Sequence, residues 1–265
     1  MMTNNTKSQK MLTEPAAKPD PEQMTAKEFV EKLKTYHSPQ AVEANDHLAA
    51  DQDDVSIGVR MGRVFALAKE YMNMPLDEVE KLLESSIHEV RVGAVSIMDF
   101  QARSKKTVEA RKKELFNLYI KRHDRINTWD LVDRSAPYVV GGYLSNKKRD
   151  VLYRLARSKR MAERRTAIVS TGYFIRQRDV TDTFKIAELL LKDKDDLIQK
   201  ATGWMLRAAG DQDRDQLVAF LEKYAASMPR TTLRYALEHF DKKQRADFMN
   251  MKNISLRSWF ENYFA

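Results

Sequence analysis

From Thr25 onward, apolar residues recur with a period near 3.6. Phe29, Leu33 and Tyr36 mark one face, and Val64, Leu67, Ala68 and Tyr71 mark another, with charged residues between them. Ser38 before Pro39, and Pro75 before Asp77, are helix-start signals. No alternating stretch suggests a strand. The pattern predicts a succession of amphipathic helices.

Those helices recur in a unit. Aligning the chain on a small residue inside each amphipathic run picks out Ala94, Ala136, Ala167, Ala201 and Ala236, separated by steps of 42, 31, 34 and 35 residues. The mean, 35.5 residues, is close to the length of a two-helix repeat. A helix pair cannot bury its apolar face alone and stacks on its neighbours, so the spacing predicts an all-α solenoid of HEAT-like helical repeats with a curved, concave surface. A globular all-α bundle with accidental alanine spacing is the competing reading of the same residues.

Composition supports helices. The 265 residues include only 8 Gly and 7 Pro, where average usage would supply roughly 30 of the two together. Zero cysteines exclude a disulfide framework, a thiolate nucleophile and cysteine-ligated zinc. The first 22 residues hold Pro15, Pro19 and Pro21 among polar residues and read as a tail that cannot offset its ordering entropy. They contain no apolar signal-peptide core, and no stretch of the sequence suits a membrane span, so a cytoplasmic, nucleoid-associated protein is expected. Residues 23–250 read as one repeat domain, and 251–265, with Trp259, Tyr263 and Phe264, as an apolar segment capping its end.

The formal charge of +8 is unevenly placed. Residues 121–178 hold fifteen Lys or Arg and five Asp or Glu, a net +10, which leaves the rest of the chain at −2. Lys147, Lys148, Arg149, Arg154, Arg157, Lys159, Arg160, Arg164 and Arg165 fall in two helical segments and the loop between them. Such a block is the footprint of a polyanion, although a solvated charged face remains the plainer reading.

Inside the basic block, Trp129 and Asp133 are four residues apart, so an indole and a carboxylate share a helix face one turn from each other. Trp204 lies two repeats further on. In a solenoid, equivalent positions of successive repeats line one surface, which would let these residues converge. A tryptophan in an apolar helical run is nevertheless more often core than site.

Asn127-Thr128-Trp129-Asp130-Leu131-Val132-Asp133, Arg164-Arg165-Thr166-Ala167-Ile168 and the run from Ile198 through Trp204 to Arg207 resemble the three signature blocks of the AlkD-type DNA alkylation repair glycosylases. The likeness extends over roughly residues 25–240. It implies HEAT-like repeats around a basic DNA groove and hydrolysis of the N-glycosidic bond of N3- and N7-alkylated purines in duplex DNA, such as 7-methylguanine. It also implies Asp133, Trp129 and Trp204 as catalytic residues and Arg165 as a DNA contact. Arg164, Lys200, Arg207, Arg160 and Arg234 complete the expected DNA-binding set. Where the family often has a second aromatic beside the first tryptophan, this chain has Thr128. Its nearest counterpart to the family's N-terminal aromatic is around Leu48, ahead of the acidic run Asp51 to Asp54.

The implied chemistry is self-consistent. An N3- or N7-alkylated purine is cationic and leaves as a neutral base, so the catalytic burden falls on the oxocarbenium-like sugar, which a carboxylate and electron-rich indoles can stabilise. No cofactor or metal is expected, and His37, His47, His88, His123 and His239 show no ligand spacing. The expected protein is a monofunctional, monomeric glycosylase without a base-enclosing pocket. A catalytically silent HEAT-like protein binding duplex or branched DNA is the alternative.

Overall fold

The computed structural model describes residues 24–41 and 55–251. Among them the helices are α1 (Ala26–Lys34), α2 (Met61–Glu70), α3 (Leu76–Leu83), α4 (His88–Arg103), α5 (Glu109–Lys121), α6 (Trp129–Ala136), α7 (Asp150–Leu155), α8 (Met161–Arg176), α9 (Thr181–Leu190), α10 (Asp196–Gly210), α11 (Arg214–Tyr224), α12 (Arg230–Ala236) and α13 (Lys242–Asn250). The only extended pairing among the described residues is an isolated bridge between Val55 and Ile87. The fold is the expected all-α solenoid. The expected tail, the segment around Leu48 and all of the C-terminal cap beyond Met251 lie outside the described residues.

One row of helices runs through the molecule. α4, α6, α8, α10 and α12 each pack on the next, while α5, α7, α9 and α11 back them from one side. The five alanines that set the period are all buried, at 0 to 1% exposure, and each sits between the sixth and eighth position of a row helix. Alanine is needed there because the row helices approach closely, and a larger side chain would hold them apart.

Local signals fix the helix ends. Thr25 and Glu28 form a capping box at α1, satisfying two orphan amides reciprocally. Pro75 precedes α3, whose first turn carries Asp77 and Glu78 at the positive end of the helix. Asp195, Asp213 and Asp241 cap α10, α11 and α13 through their carboxylates.

The helix bearing Trp129 and Asp133 is tied on both sides. Its Asp130 accepts a 2.8 Å hydrogen bond from buried His88 of α4, and its Asp133 engages Arg165 of α8. α6 then continues into a π-helical segment, Pro137–Gly142. At Gly141 an added Cβ would lie 2.2 Å from the Ser170 carbonyl oxygen and 2.9 Å from the Tyr173 Cβ, so the missing side chain lets this segment rest directly on α8.

Candidate active site

The site residues are delivered by four successive row helices, α6, α8, α10 and α12. Trp129 opens α6, and its indole is 37% exposed, one of the few large apolar groups left open among the described residues. Asp133, Arg165, Lys200 and Arg234 are the fifth residues of α6, α8, α10 and α12 respectively. The repeat thus brings four charged positions into one file along the row.

Trp129, Arg165, Leu197, Lys200, Ala201, Trp204 and Tyr235 enclose a cavity of about 290 Å³. The two indoles, 75 positions apart in sequence, therefore face one space. The close approach that shapes it occurs at Gly203, where a Cβ would stand 2.4 Å from the Tyr235 Cβ and 2.5 Å from the Thr232 carbonyl oxygen. Only glycine lets α10 and α12 meet so closely, and the contact sets Trp204 beside Tyr235. Tyr235 was not among the expected residues. Its sole sequence signal is its place next to Arg234 in the last row helix.

Asp133 meets the cavity through Arg165. The guanidinium donates from Nε and Nη2 to the two carboxylate oxygens, both at 2.8 Å, and from Nη1 to the Leu197 carbonyl. It also lies 5.9 Å from the Trp129 ring centroid. Burial pushes the Asp133 carboxyl above its ordinary value, Arg165 pulls it back toward ionisation, and Asp130 adds a like-charge push upward. For Asp130 burial also acts upward, but the His88 hydrogen bond and charge outweigh it and leave that carboxyl below its usual value.

The remaining expected DNA contacts divide. Lys200 lines the cavity, held at 2.6 Å by Asp196, and that hydrogen bond raises its pKa and keeps it cationic. Arg234 is exposed beside Tyr235. Arg207 pairs with Glu238, and Arg160 with Glu163 at the start of α8. Arg164 is turned inward. Its guanidinium binds Asp193 and the Ser158 and Lys159 carbonyls, pinning α8 to the loop before α10, which removes it from the expected phosphate contacts. Arg165 is likewise 5% exposed and committed to Asp133, so it is not a freely projecting phosphate ligand.

The basic block is less cationic in space than in sequence. Lys121 and Arg122 pair with Glu80, Lys147 with Glu109, and Arg149 with Asp179 and Asp182, all carboxylates from outside residues 121–178. Arg154, Arg157 and Arg160 remain together around a separate cavity of about 520 Å³ beside His123. Thr128, in place of the family's second aromatic, is buried at the N-cap position of α6. Among the described residues, no three His, Asp or Glu side chains gather as a metal site.

The model of the DNA alkylation repair enzyme family matches residues 29–240, which is most of the chain. The chain belongs to that family. Membership makes this DNA alkylation repair family protein an enzyme of DNA repair with DNA as its partner. Its fold is similar to that of a predicted DNA alkylation repair enzyme from Enterococcus faecalis, with a TM-score of 0.59 and 17% identity over 78% of this chain and 97% of that one. At that identity the likeness concerns the fold. No curated protein matches the sequence. Among the described residues, no helix is long and apolar enough to cross a membrane.

Proposed function

We propose that the protein is a monofunctional DNA glycosylase that hydrolyses the N-glycosidic bond of cationic N3- and N7-alkylated purines in duplex DNA. The observation that carries this reading is the convergence of Trp129 and Trp204 on one open cavity, with Arg165 in its wall and Asp133 bound behind that arginine. Trp204 packs in part against the core, whereas Trp129 is left open, and both line the same cavity.

The chemistry follows from charge. The alkylated base departs neutral, so the group in need of stabilisation is the deoxyribose as it becomes cationic. Indole faces attract such a cation by about 0.5 to 2 kcal/mol each. Arg165 takes one lone pair from each Asp133 oxygen, and each oxygen has another with which to orient the attacking water. The arginine favours the ionised carboxylate and opposes the effect of burial. Tyr235 closes the third side, and Lys200 and Arg234 stand where the flanking phosphates would pass. Discrimination then arises from the lability of the cationic lesion, and neutral damaged bases such as hypoxanthine are expected to be poor substrates.

The test is release of 7-methylguanine from methylated duplex DNA by the wild type and by Asp133→Asn. Loss of the carboxylate should lower the single-turnover rate by roughly 10² or more, if it is worth about 3 kcal/mol to the transition state. Wild-type protein that binds DNA yet releases no base would establish the silent DNA-binding alternative instead.

A further inference from the structure

At the opposite end of the row helices from the indoles, a second cationic cluster surrounds Tyr138. Arg103, the last residue of α4, places its guanidinium carbon 3.9 Å from the Tyr138 ring centroid, and Arg176, the last residue of α8, places its own at 5.1 Å. Tyr173 supports the same ring edge-on at 5.5 Å. Arg103, Tyr138 and Tyr173, with Lys105 and Lys112, line a cavity of about 210 Å³.

The cluster is under-neutralised. Asp99 is shared between Arg103 and Arg134, and Glu109 is held by Lys147. Among the described residues, no carboxylate lies within ion-pair distance of Lys105, Lys112 or Arg176. Asp99, buried beside Arg103 and Arg134, also acts on Arg176 and offsets part of the repulsion between the two guanidiniums on Tyr138. Lys105 and Lys112 have no ion-pair partner among the described residues, and an anion beside them would meet uncompensated charge. The stacking also fixes the two guanidiniums in place beforehand, which lowers the cost of ordering them on binding.

Placement says which anion. Arg165 and Arg176 are eleven residues apart on α8, three turns along one face, so about 16 Å separates the indole site from this cluster. That span exceeds the ~6 Å minor groove and ~12 Å major groove between the two backbones of B-DNA, leaving room for a phosphate contact on either side. We infer that Arg103, Arg176, Lys105 and Lys112 hold the phosphodiester backbone of the undamaged strand while the strand carrying the lesion occupies the indole cavity. The inference rests on the DNA reading above and adds to it a contact that only a duplex can make.

Lys105→Gln/Lys112→Gln disturbs no ion pair and should leave the thermal midpoint unchanged, whereas Arg176→Gln also gives up the Tyr138 contact and is therefore assayed well below its own midpoint. Titrating a fluorescein-labelled duplex, and the labelled strand alone, at several salt concentrations reads the effect. Each lost phosphate contact should reduce the slope of log K against log salt by about 1 for the duplex and leave the single-strand slope unchanged. Unchanged duplex slopes, or equal losses on both DNA forms, would overturn the assignment while leaving the glycosylase reading intact. If the wild type binds no duplex at all, both fall together.

Discussion

At the residue scale, the Asp133–Arg165 pair has measurable consequences. In the proposed mechanism, catalysis by the ionised carboxylate fades as pH falls through its pKa, and burial sets that pKa above the ordinary aspartate value of ~3.9. The acid limb of the rate profile should therefore lie higher than for an exposed aspartate. Arg165→Gln removes the opposing charge, so it should shift the limb to still higher pH; a pH–rate series on both proteins reads the difference. The same substitution leaves a partly buried carboxylate without its partner, and denaturant melts should show a loss of about 1 to 3 kcal/mol. Sequence alone separated Arg164 from Arg165 poorly. The two are adjacent on a helix, and their different fates depend on Asp193 and Asp133, which only the fold brings alongside them.

At the element scale, His123 and Gly203 are the informative positions. His123, between α5 and α6, is buried with its Nε2 3.0 Å from the Thr166 hydroxyl, and burial lowers its pKa to about 4. Its folded pKa lies below its unfolded value, so its contribution to stability is present above pH ~6.5 and is lost as pH falls toward 4. The full shift corresponds to about 3 kcal/mol as an upper bound. His123→Gln should flatten the dependence of chemical stability on pH across that window, and urea melts at pH 7 and 5 would show it. Gly203→Ala forces a methyl against Thr232 and Tyr235, so it should cost about 1 to 3 kcal/mol and lower the thermal midpoint by several degrees. The alanine period was legible because close helix packing leaves a compositional trace. The contribution of Tyr235 was not legible, because an aromatic on a seven-residue helix reads equally well as core, and its exposure is decided by the neighbouring repeat.

At the scale of the whole molecule, the charge analysis was half legible. The +10 block coincides with the stretch that carries Trp129, Asp133 and Arg165, but acids from other repeats neutralise much of it, while Lys105 and Lys112 lie outside it. Fold class and the convergence of the two indoles could be read because a repeat converts sequence period into spatial alignment. Ion pairing could not, since partners such as Arg122 and Glu84 are set by how repeats meet. Duplex binding should weaken steeply with salt and depend little on sequence, as phosphate-dominated contacts do. A titration showing equal affinity at low and high salt would contradict a DNA interface on this face.

The cavity's two indoles are carried by α6 and α10, and α8 stands between them as a spacer. The gap between the jaws is consequently a gauge set by how tightly that spacer is clasped, through Gly141 against Ser170 on one side and the contact of Gly172 with Met205 of α10 on the other. Substitutions at these joints would retune the width of the jaws without altering any group that touches the substrate. Under the proposed function, the range of adducts accepted would thus drift through the packing of the stack while the chemistry at its mouth stayed the same.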